Sequence, residues 1–196
     1  MKITRPIRAV LFDMDGVMVD SEFVYMKYLL EFAREKNPAV TMEDINPMVG
    51  RSRQDSWMVM ERAVDNGEIW ETLIKEWAER DIYSRIDYRK IFRPEMKTTV
   101  QELKRRGYTV ALVSSTGPKL ISRIVEEVGM RPEFDLIVSG KQFKQSKPNP
   151  EIYHYTADTL GIREDECFVV EDSTVGIEAA YRAGMSIAGL KDDRFG

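Results

Sequence analysis

Five short runs of apolar residues recur along the chain, and each is continuous rather than alternating with polar residues. The runs lie at residues 10–12, 110–113, 136–138, 168–170 and 187–190. Strands that are buried on both faces show this pattern, and such strands are typical of parallel sheets. The pattern therefore predicts five strands of one parallel sheet.

A helix-like segment precedes each of the last four runs, and each of these segments ends at a glycine. The glycines are Gly107, Gly129, Gly161 and Gly184. Glycine readily takes the left-handed backbone conformation that closes a helix. The repeat of helix, glycine and buried strand predicts the α/β class, with a Rossmann-like open sheet of five parallel strands and helices on both faces.

The interval between the first two predicted strands breaks this rhythm, because it is far longer than a crossover needs. It has helical periodicity and contains all three tryptophans, Trp57, Trp70 and Trp77. We interpret residues 17–91 as an inserted α-helical domain with a core of tryptophans. Residues 1–16 and 92–196 then form the Rossmann-like domain.

Composition excludes several classes of protein. The chain has 196 residues, a formal net charge of −4, one cysteine (Cys167) and one histidine (His154). A single cysteine excludes an internal disulfide framework and a cysteine zinc site, and it suits a reducing compartment. A single histidine disfavours a Ser-His-Asp triad, and the mild acidity disfavours nucleic acid as a partner.

The chain also shows no segment typical of membrane insertion or secretion. The apolar run at residues 7–12 is too short for a signal peptide, and no stretch approaches the ~20 apolar residues that span a bilayer. We expect a cytoplasmic protein with no membrane or nucleic-acid partner, and a monomer rather than an oligomer.

Polar side chains follow four of the five predicted strands. They are Asp13 and Asp15 after the first strand, Ser114 and Ser115 after the second, Lys147 in the loop after the third, and Glu171 and Asp172 after the fourth. The carboxyl ends of parallel strands meet at one edge of a sheet, where ligands bind. Four carboxylates there would repel one another without a cation, and ligands that are all oxygen favour Mg²⁺.

The neighbouring lysine and hydroxyl groups indicate a phosphate ligand beside that metal. Pro118 suits the first position of a helix, so the amides that precede it would face the phosphate together with Ser114. Each residue also has a structural interpretation on its own: Asp172 could cap a helix, Ser114 could lie in a turn, and Lys147 could be solvated. Their joint occurrence at successive strand ends favours a functional site.

These residues resemble the four motifs of the haloacid dehalogenase superfamily in order and spacing. The motif residues are Asp13 to Val17 (DMDGV), Ser114, Lys147 with Pro148, and Glu171 to Ser173 (EDS). The segments at residues 13–22 and 147–153 (KPNPEIY) are similar to the phosphatase and β-phosphoglucomutase branch, in which an α-helical cap follows the first motif. By this resemblance, residues 17–91 are the cap.

The resemblance implies a role for each motif residue. Asp13 would attack phosphorus to give an aspartyl-phosphate, and Asp15 would act as general acid and then as general base. Ser114 and Lys147 would hold the transferring phosphoryl oxygens. The Mg²⁺ ligands would be Asp13, the backbone carbonyl of Asp15, Asp172, and Glu171 either directly or through water.

Substrate-binding residues are implied less directly. Ser115 adjoins the phosphate site, and the loop with Gly50, Arg51 and Arg53 is similar to the cap loop that reaches the substrate in this branch. Two arginines there could bind an anionic or polyhydroxylated leaving group. The alternative is a solvated surface loop.

The resulting functional prediction is a Mg²⁺-dependent phosphatase of small phosphorylated metabolites, in particular sugar phosphates. A β-phosphoglucomutase-type mutase is an alternative, although the chain has Tyr25 where such mutases have a histidine in the first cap helix. A non-catalytic protein that binds phosphorylated ligands is a second alternative, but such chains usually lose a motif acid. Asp15 argues against halide displacement, which needs no acid for the leaving group.

Chains with these motifs usually continue past the fifth predicted strand with another strand and a helix. This sequence ends at Gly196, soon after Leu190. We therefore expect a less protected sheet edge there, with the chemistry retained because every motif precedes it.

Overall fold

A five-stranded parallel sheet is the centre of the fold in the computed structural model, which describes residues 5–49 and 51–190. The strands are β1 Ala9–Phe12, β2 Thr109–Ser114, β3 Leu136–Ser139, β4 Cys167–Glu171 and β5 Ser186–Gly189. Their order across the sheet is β3-β2-β1-β4-β5, and every neighbouring pair is parallel. Each strand overlaps one of the predicted apolar runs, so the predicted fold class is confirmed.

Ten α-helices accompany the strands within the described residues. They are α1 Ser21–Lys36, α2 Met42–Ile45, α3 Arg53–Val64, α4 Trp70–Ala78, α5 Ile82–Arg85, α6 Tyr88–Ile91, α7 Glu95–Arg105, α8 Pro118–Glu127, α9 Glu151–Leu160 and α10 Thr174–Arg182. The four glycines that the sequence places after helices all have positive φ, between 64° and 87°. Because L-residues with a side chain are strained there, these glycines end their helices as predicted.

The register of the central strands sets where the polar residues emerge. Phe12 of β1 lies between Leu112 of β2 and Val170 of β4. The next residue, Asp13, donates its backbone N–H to the carbonyl of Val170 at 2.9 Å. The polar residues that follow β1, β2 and β4 therefore lie side by side at one edge of the sheet.

The contacts divide the chain into a sheet unit, with residues 5–20 and 88–190 of the described chain, and a helical unit, Ser21–Asp87. The segments that leave and re-enter the sheet unit pair with each other. Asp20 N–H donates to the carbonyl of Ile91 at 2.8 Å, and Arg93 N–H donates to that of Met18 at 3.0 Å. These bonds explain why residues 17–20 and 88–91, which the sequence assigns to the insertion, group with the sheet.

The helical unit has an aromatic core of its own. Trp57 and Trp77 are buried, and the centroids of their rings lie 6.1 and 5.5 Å from that of Phe32. Trp70 is half-buried and packs against the same core, as the sequence predicts. The indole Nε1 of Trp77 donates a 2.8 Å hydrogen bond to the hydroxyl of Tyr25, so this indole N–H has a partner.

Other residues that the sequence analysis singled out have structural roles or cannot be described. Cys167 is buried at the start of β4, and its burial raises the pKa of the thiol to about 12, which makes it unreactive. Gly50, predicted to bind substrate, and residues 191–196 lie outside the described residues. None of the described helices is both long enough and apolar enough to cross a membrane.

Candidate active site

The ammonium group of Lys147 joins three of the predicted motifs at one point. Its Nζ donates to Asp13 Oδ1 at 2.6 Å, to Glu171 Oε1 at 2.7 Å and to the carbonyl of Val113 at 3.4 Å. A lysine has three N–H donors, so each donor has an acceptor. The Lys147 side chain is 4% exposed, and that of Glu171 is fully buried. The arrangement is a buried charge cluster with one cation between two carboxylates.

The cluster contains more carboxylates than cations, since the carboxylates of Asp13, Glu171 and Asp15 accompany the single ammonium group of Lys147. Burial raises the pKa of Asp13 to about 7; Lys147 opposes this rise, whereas the carboxylates of Glu171 and Asp15 add to it. Burial alone would lower the pKa of Lys147, but the negative charge of Asp13 and the neighbouring Tyr153 and Glu171 hold it above its usual value. Lys147 is thus a permanent cation, and Asp13 needs further positive charge to be fully ionised at neutral pH.

Asp15 and Ser114 are joined through Thr116, a residue that the sequence analysis did not place in the site. The hydroxyl of Thr116 donates to Asp15 Oδ2 at 2.9 Å, and its backbone N–H donates to Ser114 Oγ at 3.0 Å. The carbonyl of Thr116 accepts from the hydroxyl of Ser139 at 2.6 Å. Three hydrogen bonds of Thr116 therefore hold the loop after β2 in place, and the fully buried Ser114 is the last residue of the strand before it.

The loop then enters α8 as the sequence predicts. Pro118 is the first helical residue, and Gly117 is the N-cap. Ser115, predicted to bind substrate, lies exposed at the start of this loop. Its backbone packs closely on Gly140, where an added Cβ would lie 3.1 Å from the Cα of Ser115.

The carboxylate of Glu171 is saturated by donors from the protein. Oε1 accepts from Lys147 and, at 3.3 Å, from the hydroxyl of Tyr153. Oε2 accepts from the backbone N–H of Asp172 at 3.0 Å, and from the N–H and the hydroxyl of Ser173 at 2.9 Å each. A carboxylate offers about four acceptor sites, so direct ligation of a metal would require Glu171 to give up a donor.

Asp172 lies against the loop that carries Asp13 and Asp15. A Cβ added to Gly16 would lie 1.6 Å from Asp172 Oδ2, so the carboxylate occupies the space that a side chain at position 16 would fill. Gly16 also has φ +75°, which a residue with a side chain rarely adopts. Only glycine at this position lets the two motifs approach each other. Ser173 caps α10 by accepting from Gly176 N–H at 3.1 Å, which is the capping role considered for this segment.

The donor chemistry of the cluster fits Mg²⁺. Its ligand atoms are oxygens, and the pKa of Asp13 is raised by burial first and by the carboxylates of Glu171 and Asp15 after it, so a cation beside Asp13 would stabilise its ionised form. In the part of the chain that the structure describes, no group of three or more His, Cys, Asp or Glu side chains is already arranged as a metal site. The predicted ligands are thus neighbours whose side chains would still have to turn toward a metal.

Two predicted binding residues lie in the helical unit. Arg51 and Arg53 are both exposed, and they flank Ser52, the N-cap of α3, whose hydroxyl accepts from Asp55 N–H at 3.2 Å. Their role toward a substrate stays a prediction. His154 is separate from the cluster, since its ring nitrogen pairs with Glu164 at 3.1 Å on the surface of α9.

The residues that the sequence analysis missed, Thr116 and Tyr153, act through contacts that are distant along the chain. Thr116 lies 101 positions from Asp15, and Tyr153 lies 18 positions from Glu171. A weak signal existed for each: Thr116 adjoins the second motif, and Tyr153 ends the segment KPNPEIY.

The sequence of this site matches a known family. Residues 10–190 match the haloacid dehalogenase-like hydrolases, a stretch that includes every residue of the cluster. The chain belongs to this family. The predicted superfamily is thereby confirmed, and with it the prediction of a hydrolase.

Individual members of the family are similar to this chain over most of their length. The phosphorylated carbohydrates phosphatase of Thermotoga maritima is 26% identical over 181 residues, which are 91% of this chain and 82% of that protein. Hexitol phosphatase B of Escherichia coli (strain K12) is 27% identical over 189 residues, which are 94% and 84% of the two chains. A Thermotoga maritima crystal structure, described as a "putative beta-phosphoglucomutase", is 26% identical, with a TM-score of 0.76, and covers 96% of this chain and 89% of its own. The predicted phosphatase and β-phosphoglucomutase branch is confirmed.

Proposed function

We propose that this hydrolase is a Mg²⁺-dependent phosphatase of small phosphorylated metabolites, in particular sugar phosphates, which acts through an aspartyl-phosphate. The observation that carries the proposal is the buried hydrogen bond of 2.6 Å from Lys147 to Asp13. A carboxylate held by a permanent cation beside a buried hydroxyl suits nucleophilic attack on a phosphoryl group. The substrate class is supported by the two relatives named for phosphatases of carbohydrates and hexitols.

In the first half-reaction, a carboxylate oxygen of Asp13 forms a bond to phosphorus while the bond from phosphorus to the substrate oxygen breaks. The leaving oxygen takes a proton from the carboxyl of Asp15, which Thr116 orients through Oδ2. Lys147 and Ser114 hold the phosphoryl oxygens, on which negative charge is spread in the transition state. The products of this step are the free alcohol and phosphorylated Asp13.

In the second half-reaction, Asp15 is ionised and serves as a base. It takes a proton from a water molecule whose oxygen attacks phosphorus, and the bond between phosphorus and Asp13 breaks. Inorganic phosphate leaves, and both aspartates return to their starting protonation states. One pair of carboxylates two residues apart thus serves both halves of the reaction.

The metal would be held by the carboxylates of Asp13 and Asp172 and by the backbone carbonyl of Asp15. When bound, Mg²⁺ supplies positive charge that offsets the carboxylates and the phosphoryl oxygens. Since the oxygens of Glu171 already accept from five donors, we propose that Glu171 reaches the metal through water.

A phosphomutase is the alternative enzymatic function. It is supported by the similarity to the structure described as a "putative beta-phosphoglucomutase". Tyr25 occupies the position where such mutases have a histidine, and its hydroxyl is engaged by Trp77. This favours hydrolysis. A product assay separates the two functions, since β-glucose 1-phosphate gives glucose 6-phosphate in a mutase and free phosphate in a phosphatase.

The proposal is tested with a panel of metabolite phosphates and a generic aryl phosphate. We expect phosphate release that stops on removal of Mg²⁺ by a chelator and is lost in Asp13→Asn. Asp158→Asn, an exposed change on α9, is the matched control and should retain full activity. Turnover without a metal, or full activity in Asp13→Asn, would contradict the proposal.

A further inference from the structure

Tyr153 is a buried residue of α9 that the proposed reaction does not use directly. It is fully buried, and its hydroxyl donates to Glu171 Oε1 at 3.3 Å, the same oxygen that accepts from Lys147. The Lys147 ammonium also lies 5.3 Å from the centroid of the Tyr153 ring. Tyr153 therefore touches both members of the ion pair that holds Asp13.

We propose that Tyr153 is a positioning residue, which fixes Glu171 so that Lys147 is shared between Glu171 and Asp13. This inference rests on the proposed phosphatase function. In this role Tyr153 sets the position of Lys147 through Glu171 and does not bind the metal or the substrate.

The geometry gives the physical reason. Glu171 Oε1 accepts from two donors, and only one of them, Lys147, is also needed by Asp13. Without the tyrosine hydroxyl, Oε1 would keep Lys147 as its single donor. Each carboxylate oxygen offers about two acceptor sites, so Oε1 would have one site unfilled although Oε2 keeps its three donors. This oxygen would draw its remaining donor closer, because an unmet hydrogen bond is costly at a buried carboxylate. Lys147 would then move toward Glu171 and away from Asp13.

The rest of the Glu171 environment leaves the carboxylate little other freedom. Its second oxygen is held by Asp172 and Ser173, the two residues that directly precede α10. A Cβ added at Gly176 would lie 1.7 Å from Oε1, so the helix packs directly on the carboxylate. The tyrosine hydroxyl is therefore the contact whose loss most directly changes the competition for Lys147.

The test is the change Tyr153→Phe, which removes the hydroxyl and keeps the ring in the core. We expect kcat with an aryl phosphate to fall by about tenfold and KM to change by less than about twofold, since the substrate itself is not contacted. Tyr155→Phe, the same chemical change two residues along α9, should leave both constants unchanged because Tyr155 is 43% exposed and its ring contacts Phe143.

A double-mutant cycle with Glu171→Gln distinguishes positioning from a general structural role. If Tyr153 acts through Glu171, Tyr153→Phe should lower kcat by less than about twofold in the Glu171→Gln background. Activities are compared per folded molecule, with the folded fraction measured by circular dichroism, so that a loss of stability is not read as a loss of catalysis.

Each outcome decides the inference. A tenfold loss that disappears in the Glu171→Gln background supports it. A loss of equal size in both backgrounds, or a Tyr153→Phe variant whose kcat lies within about twofold of wild type, overturns the inference and leaves the phosphatase function standing. A wild-type chain that releases no phosphate from any phosphomonoester would instead overturn the proposed function, and the inference with it.

Discussion

Lys147 Nζ lies 2.6 Å from Asp13 Oδ1, in a position where the lysine side chain is 4% exposed. The two residues are 134 positions apart in the sequence and come from different crossovers of the sheet. This contact joins the proposed nucleophile to the cation that would hold the transferred phosphoryl group. The remaining contacts of the cluster are arranged around it.

Replacement of Lys147 tests that contact. Lys147→Met should lower kcat at least 10²- to 10³-fold, because it removes the fixed charge that stabilises the transition state. It should also lower the free energy of unfolding by about 3–5 kcal/mol at pH 8, since Asp13 and Glu171 lose their buried partner. Steady-state kinetics and urea unfolding measure the two effects. Lys144→Met, an exposed change in the same loop, should alter neither, and a Lys147→Met variant within tenfold of wild type would refute the assignment.

The raised pKa of Asp13 predicts how stability depends on pH in the metal-free protein. The pKa of Asp13 in the folded state, about 7, exceeds the ordinary value of 3.8. Between pH 3.8 and pH 7, Asp13 is therefore protonated in the folded protein and ionised in the unfolded chain. The contribution of Asp13 to the free energy of unfolding is therefore largest below pH 3.8. It declines as the pH rises and is lost above pH 7.

Asp13→Asn, which cannot ionise, should therefore be more stable than wild type above pH 7 in the presence of a chelator, and about equal to it near pH 4. Urea unfolding at both pH values measures this difference. Asp158→Asn, at an exposed position, should show no gain at the higher pH. A difference in stability between Asp13→Asn and wild type that is the same at both pH values would contradict the prediction.

Gly16 offers a test of how Asp172 is placed. Gly16→Ala adds a Cβ that would lie 1.6 Å from Oδ2 of Asp172, so the Asp172 carboxylate must leave its present position beside the loop. We expect Mg²⁺ affinity, measured by titration calorimetry, to fall at least tenfold and kcat to fall with it.

A matched control separates this clash from backbone strain. Gly184 has φ +77°, close to the +75° of Gly16, but nothing lies within 4 Å of its added Cβ. Gly184→Ala should cost about 1 kcal/mol of stability and leave activity unchanged. Equal losses of activity in the two variants would mean that strain, and not Asp172, causes the effect.

Several elements could be predicted from the sequence because local chemistry determines them. The strands are buried on both faces, which produces continuous apolar runs, and Gly107 and Gly161 end their helices because the left-handed conformation favours glycine. The residues at the strand ends could be placed together because parallel strands direct their carboxyl ends to one edge of the sheet.

Other features could not be predicted, since they depend on contacts between distant parts of the chain. The saturation of Glu171 requires Lys147, Tyr153 and the start of α10 to meet, and no local pattern indicates this. The same holds for the hydrogen bond from Thr116 to Asp15. The pairing of residues 18–20 with 91–93 could not be predicted either, because it joins two segments that the whole helical unit separates in the sequence.

The proposed role of Asp15 predicts a dependence on the leaving group. Asp15→Asn keeps an acceptor for Thr116 but has no proton to give, so turnover of sugar phosphates should fall about 10²- to 10⁴-fold. Aryl phosphates with acidic phenols need no such proton in the first step. They should show a rapid burst of phenol, equal to the enzyme concentration, followed by slow turnover. Loss of the burst together with steady turnover would contradict this role.

The covalent phosphoryl intermediate proposed on Asp13 can be trapped directly. The Asp15→Asn variant is mixed with an aryl phosphate and Mg²⁺, quenched after the burst, reduced with borohydride and analysed by peptide mass spectrometry. Borohydride converts an aspartyl-phosphate to homoserine, so we expect homoserine at position 13 and unmodified aspartate in a sample without substrate. Phenol release with Asp13 unmodified, or homoserine at another aspartate, would contradict it.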